Sequence, residues 1–137
     1  MRALLLVTML SACGGTDEAE LFIDLRTDYA PGVEFTGVRA EIIDTALQRD
    51  HVAVRGEDYF TGVRVAEVAG IELGQQRLRL SLLGAGGVVA SRDIRIEYER
   101  TLALIVVMTR DCEGVSCGDG QTCFGGQCTD AACSDEN

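Results

Sequence analysis

Apolar and polar residues alternate with a period of two from Leu21 to Thr109, and no comparable stretch shows the period of an amphipathic helix. Successive side chains of a strand point to opposite faces, so this alternation predicts strands with one buried and one solvated face. The apolar residues recur in seven short runs. The runs are Leu21–Leu25, Val38–Ile42, Val52–Val54, Val63–Val65, Leu78–Leu82, Val88–Tyr98 and Leu102–Met108.

Two of these runs depart from simple alternation. One face of the sixth run is apolar except for Arg92; its other members are Val88, Ala90, Ile94, Ile96 and Tyr98. The last run, Leu102–Met108, is apolar on both faces. That pattern predicts a central or doubly covered strand, and the β-branched residues Ile105–Val107 favour a strand over a buried helix, which is the alternative.

Glycine-containing turns separate the runs, and Gly84–Gly87 joins two strong strands as a hairpin loop. Seven short strands within about 90 residues are typical of a two-sheet sandwich. We therefore predict an all-β fold, with a seven-stranded two-sheet immunoglobulin-like sandwich over residues 21–110. The stretch Leu73–Ser91 resembles the closing strands of bacterial immunoglobulin-like and fibronectin-III-like domains. No Trp occurs in the chain, so the resemblance does not extend to a true immunoglobulin domain.

The first thirteen residues are typical of an export signal. A positive start at Met1–Arg2 precedes the apolar run Ala3–Leu10, which is too short to cross a bilayer that needs about 20 helical residues. The residues Leu10–Cys13 resemble the bacterial lipobox. This resemblance implies a lipoprotein signal peptide over residues 1–12, cleavage before Cys13, acylation of the Cys13 thiol with palmitate-type chains, and a lipid-anchored tether over residues 13–20. The alternative is a plain secretory signal that leaves Cys13 as a free thiol.

Residues 111–137 form a separate cysteine-rich tail with one large apolar side chain, Phe124. Its cysteines are Cys112, Cys117, Cys123, Cys128 and Cys133. Such a segment cannot build an apolar core, so we expect disulfides to hold it, as export to an oxidising compartment allows. Five choices of the odd cysteine times three pairings of the remaining four give fifteen arrangements. The sequence favours Cys133 as the odd one because it lies nearest the chain end.

A zinc cluster is the competing interpretation of the tail. Zinc sites favour closely spaced Cys pairs, often with His, whereas these gaps are longer and the chain's one His, His51, is far upstream. We expect no metal and no cofactor.

The sequence offers no catalytic residue. Ser116 lies in a G-x-S-x-G match, but that motif acts at a strand–turn–helix corner with a later His, and no His follows. Asp50–His51 is interpreted as a surface pair, and Gly84–Gly87 lacks the lysine of a phosphate-binding loop. The net charge of −10 argues against nucleic acid as a partner. We therefore predict a protein that is not an enzyme.

Further motifs lie along the mature chain at Asp24–Asp28, Pro31–Phe35, Thr109–Cys117 and Cys123–Cys128. Together with the lipobox, this layout resembles a group of predicted surface lipoproteins of high-GC Gram-negative bacteria. The resemblance implies a lipid-anchored location in the cell envelope, at the outer membrane or cell surface, and it implies no activity. In that group the cysteine-rich segment often precedes a further module.

The expected function is a non-enzymatic binding or spacer module held at the bilayer by Cys13. Its expected partners are the bilayer itself and an envelope protein or glycan. Two alternatives stay open. One is a small disulfide-stabilised inhibitor that presents Gly118–Gly126 to a target enzyme, and the other is the truncated N-terminal anchor of a longer multidomain surface protein.

Overall fold

A computed structural model describes residues 19–133, and the all-β prediction is confirmed for them. A single turn of 3₁₀ helix, Arg110–Cys112, follows the seventh of nine strands. In chain order the strands are β1 Glu20–Thr27, β2 Gly37–Ile42, β3 Leu47–Val52, β4 Val63–Ala69, β5 Gly74–Gly84, β6 Gly87–Tyr98, β7 Leu102–Met108, β8 Gln121–Phe124 and β9 Gln127–Asp130.

The strands form three sheets. A three-stranded sheet has the order β4-β1-β7, a four-stranded sheet has the order β3-β2-β5-β6, and β8 and β9 form a hairpin of their own. All neighbouring strands are antiparallel except β1 and β7, which run parallel with Leu21 opposite Leu102 and Thr27 opposite Met108. The first and last strands of the body therefore end side by side.

Alternating residues of the two larger sheets form one buried cluster, so these sheets pack face to face as a sandwich. Leu21, Ile23 and Leu25 of β1 and the β5 residues Leu78 and Leu80 are fully buried. Each such side chain contributes about 1.5–3 kcal/mol when it leaves water. The alternation in the sequence therefore marks the residues whose side chains meet in the core.

Two aromatic rings close one end of this core. The rings of Phe35 and Tyr59 meet edge to face with centroids 5.2 Å apart. The Tyr59 carbonyl accepts a 3.1 Å hydrogen bond from the Thr27 amide at the end of β1. Burial, followed by the nearby charge of Glu57, raises the pKa of Tyr59. These contacts fix the loop over residues 53–62 to the end of the three-stranded sheet.

The interpretation of Leu102–Met108 as a central or doubly covered strand is wrong. β7 lies at an edge of the three-stranded sheet, where β1 is its one neighbouring strand. Leu104, Val106 and Met108 point into the core, whereas Ile105 is 50% exposed. The outward-facing residue Ile105 of β7 is apolar although it is only half covered. An apolar run in the sequence does not distinguish a covered face from an exposed one.

Two other strands differ from the expected positions. The strand expected at Val52–Val54 is Leu47–Val52, and Val54 lies beyond its end. In β6 the pairing shifts by one residue, because Leu82 faces Ala90 while Leu83 faces Val88. This bulge interrupts the alternation, and Val88, predicted to face inward, is 64% exposed.

The sandwich has two distinct ends. At the entry end, the Glu20 amide donates to the Thr101 hydroxyl at 3.3 Å, so the chain enters beside the β6–β7 connection. At the opposite end, which we call the distal end, lie the loops over residues 28–36 and 53–62 and the β5–β6 hairpin turn. The eight residues of β1 separate the two ends by about 26 Å at ~3.3 Å per residue.

Candidate functional site

The cysteine tail is joined by two disulfides, as the sequence led us to expect for this segment. Cys112 bonds Cys123 and Cys117 bonds Cys128, with Cα separations of 5.7 and 5.6 Å, and Cys133 belongs to neither bond. Cys123 and Cys128 lie directly opposite each other in the β8–β9 hairpin, yet each is bonded to an earlier cysteine. The hairpin is therefore tied on both strands to the segment that leaves β7.

Arg110 fixes the start of the tail to the distal end. Its amide donates to the Asp28 carboxylate at 3.0 Å, and its guanidinium donates to the Asp28 carbonyl at 2.6 Å and to the Glu34 carboxylate. The same guanidinium lies 5.1 Å from the centre of the Tyr29 ring. Hydrogen bonds from the Ala30 amide and then from Arg110 lower the pKa of Glu34. These contacts therefore hold the start of the tail in a fixed position against the loop over residues 28–36.

The end of the tail lies along the free edge of β6. The Arg95 amide donates to the Ala131 carbonyl at 2.7 Å, and the Cys133 amide donates to the Arg95 carbonyl at 2.8 Å. The Arg95 guanidinium also pairs with the Asp130 carboxylate at 2.8 Å. The tail is consequently not a free appendage, because it covers the backbone edge that β6 would otherwise expose.

A groove of about 410 Å³ lies between β6, the end of β7 and the tail. Its walls include Val88 and Val89 of β6, Met108 of β7, and Glu113 and Gln121 of the tail. Arg79 and Asp93 also line it, and they pair with each other through two hydrogen bonds of 2.6 and 2.7 Å. We take this groove as the candidate site because it is the junction of all three sheets.

Arg92, the one break in the inward face predicted for β6, lies in this groove. Its side chain is buried, with 6% of the residue exposed. One guanidinium nitrogen donates to the Val107 carbonyl at 2.7 Å, and the ring centre of Phe124 lies 5.1 Å away. Burial lowers the pKa of Arg92, while the charge of Cys133 acts in the opposite direction.

The hydrogen bonding of Arg92 is incomplete. Its Nε is buried without a hydrogen-bond partner, and within residues 19–133 no carboxylate forms an ion pair with it. An arginine does not lose its charge in a protein, so this is a buried cation that no carboxylate of the described chain neutralises.

The candidate catalytic residues do not come together. His51 lies in β3, at one edge of the four-stranded sheet, whereas Ser116 belongs to the tail that docks on β6 at the other edge. Three strand spacings of about 4.8 Å separate these edges. The Asp50 carboxylate bonds Arg39 and Gln48, and it does not bond the adjacent His51. Neighbouring strand residues point to opposite faces, which explains the separation.

Of the other predicted site residues, Cys13 lies outside the described part of the chain. Across residues 19–133 no group of three or more His, Cys, Asp or Glu side chains is arranged to hold a metal ion. The same described segment contains no helix long and apolar enough to span a membrane.

The chain was compared with protein-family models, with curated proteins and with solved structures, and none of them matches it.

Proposed function

We propose that this protein is a non-enzymatic binding or spacer module of the bacterial envelope, anchored to lipid through Cys13. On this proposal it resembles the predicted surface lipoproteins named above, and its body is an immunoglobulin-like sandwich in layering. Its strand orders, β4-β1-β7 and β3-β2-β5-β6, differ from the A-B-E-D and C-F-G sheets of immunoglobulin constant domains.

The observation that supports this proposal is that exposed apolar residues lie at the distal end, opposite the point where the chain enters the body. Val33, Val54 and Phe60 lie in the distal loops with 68, 56 and 79% of their surface exposed. The proposed tether would join the body at Glu20, at the entry end, and its seven residues from Gly14 would reach at most about 23 Å. The apolar loops would then face away from the lipid surface, where a partner is accessible.

The tail contributes rigidity rather than a projecting loop. Residues 118–121, part of the segment considered for an inhibitor, line a second cleft together with Arg77 and Arg95 of the four-stranded sheet. A segment packed against its own body is poorly placed to enter a target enzyme. The binding or spacer role is therefore the better supported proposal.

The first test is the intact mass of the membrane-extracted protein. We expect a chain that begins at Cys13, carries acyl chains there and contains two disulfides. A Cys13→Ser variant should leave the membrane fraction, whereas the matched Cys133→Ser variant should stay in it. Recovery of an unmodified chain from Met1 in the cytosol, with reduced thiols, would overturn the proposal.

A second test separates binding from spacing. A photo-crosslinking residue placed at position 60, at the distal end, should capture a discrete partner in cells, while the same residue at position 99, near the chain entry, should not. A pure spacer would give no discrete product at either position. Products at position 99 alone would contradict the proposed orientation.

A further inference from the structure

Arg92 is the one cation of the groove that no carboxylate of the described chain pairs with. Arg79, the other arginine of its walls, is satisfied by Asp93 through two hydrogen bonds. Arg92 instead has a single backbone acceptor, Val107, and an unpartnered Nε. A buried charge in this state is costly unless an anion neutralises it, so the groove favours an anionic occupant.

The walls limit the charge of that occupant. The charged lining residues are Arg79, Arg92, Asp93 and Glu113, so their formal charges cancel. Glu113 forms no ion pair within the described chain. A ligand with one negative charge gains from Arg92 with little repulsion from Glu113, whereas a dianion meets more. The chain as a whole has a net charge of −10, whereas the formal charges lining this groove sum to zero.

The size and polarity of the groove favour an organic anion over an inorganic one. A volume of about 410 Å³ lies within the range of small-molecule sites. The exposed side chains of Val88, Val89 and Val115 contribute apolar surface to its walls. An apolar ligand body would bury this surface, whereas a hydrated ion would leave it in contact with water.

We propose that this groove binds a small organic monocarboxylate, whose oxygens accept hydrogen bonds from the Arg92 guanidinium while its apolar body packs on Val88 and Val89. The planar guanidinium matches a carboxylate in geometry, and a charge-assisted bond gains strength in a buried setting. The proposal goes beyond the binding role proposed above, because none of the exposed distal residues Val33, Val54 and Phe60 lines this groove. It depends on neither acylation nor the distal partner, so its failure is distinguishable from theirs.

The test uses the mature chain with Cys13→Ser, exported so that both disulfides form, and hexanoate as the probe. In ¹H–¹⁵N NMR, hexanoate should shift the Arg92 Nε–H signal, because a negative charge bound at the same guanidinium changes the environment of that nucleus. Hexanoate should bind about tenfold more tightly than hexanamide, its neutral analogue, in line with the extra strength of a charged acceptor. Sulfate should bind more weakly than hexanoate because it has no apolar body.

Matched variants locate the effect. Arg92→Gln should abolish the preference for hexanoate over hexanamide. Arg64→Gln removes an equal charge from β4, outside the groove, where Arg64 lies 4.9 Å over the Phe22 ring, and should leave the preference within about twofold.

Four results would overturn the proposal: equal binding of hexanoate and hexanamide, binding without a shift of the Arg92 signal, sulfate binding as tight as hexanoate, or loss of the preference in Arg64→Gln alone. If Arg92→Gln does not fold, the binding of hexanoate, hexanamide and sulfate to the chain with native Arg92 still tests the proposal.

Discussion

The guanidinium of Arg92 donates a 2.7 Å hydrogen bond to the carbonyl oxygen of Val107, joining the edge strand β6 of one sheet to the edge strand β7 of the other. The two sheets are elsewhere joined in the core by apolar packing. This bond closes one open side of the sandwich with a polar group, beneath the Phe124 ring of the tail.

Two replacements of Arg92 should distinguish the stability that its packing contributes from the cost of its buried charge. Arg92→Met keeps a long side chain without a buried cation, so the free energy of unfolding should stay within about 1 kcal/mol of the native value or rise. Arg92→Ala leaves a cavity and should lower it by about 2–4 kcal/mol. Urea denaturation measures both. A loss in Arg92→Met equal to that in Arg92→Ala would show that the contacts with Val107 and Phe124 carry net stability.

Loss of the Cys117–Cys128 disulfide should loosen the tail and leave the body folded, because both cysteines lie outside the buried core. In the double variant Cys117→Ser and Cys128→Ser, the Arg95 amide should exchange with solvent faster, since its acceptor Ala131 is no longer held in place. A typical disulfide contributes about 2–4 kcal/mol, so the local effect should be large. Hydrogen exchange measures it, with the Leu80 amide in β5 as internal control. Unchanged protection at Arg95 would mean that the tail docks without its bonds.

The ionisation of Glu34 should make the stability of the folded chain depend on pH in the acid range. Its pKa is lowered from the ordinary value of 4.5 by the Ala30 amide and by Arg110, so the folded state favours the charged carboxylate. The contribution is complete above the unfolded pKa and is lost as the pH falls through the lower, folded pKa. Melting temperatures between pH 2 and 7 should therefore fall less steeply on acidification in Glu34→Gln than in the native chain. Glu99→Gln, an exposed carboxylate in the turn before β7, is the control and should keep the native slope.

The strands were predictable wherever one face of a sheet is buried. In β1 every second residue enters the core, and in β5 the same alternation holds from Gln76 to Leu80, beyond which Ser81 is buried as well as Leu82. The position of β7 was not predictable, because its outward residue Ile105 is apolar but only half covered. Whether a strand has one neighbour or two depends on which other strands pair with it in the fold. The residues of β7 alone do not encode that pairing.

The candidate site was only partly visible in the sequence. Arg92 is the single charged residue on an otherwise apolar face, but the sequence alone assigned it no role in a site. Its partners Val107 and Phe124 are 15 and 32 positions away in sequence, so their meeting depends on where the tail docks. The cysteine pairing was open for a similar reason, since the nearly even gaps fit many arrangements and do not show which earlier cysteine lies against each strand of the β8–β9 hairpin.

Ala46 provides a test of the turn between β2 and β3. It is the one non-glycine residue among those described with a positive φ, at 57°, a conformation that costs an L-residue about 1–2 kcal/mol. Ala46→Gly removes this cost and adds about 0.5–1 kcal/mol of backbone entropy to the unfolded chain, so it should stabilise the protein by about 0.5 kcal/mol. Ala85→Gly, in the exposed β5–β6 turn, gains no such relief and should destabilise by a similar amount. Urea denaturation of both variants checks the opposite signs, and equal losses would contradict the left-handed conformation of Ala46.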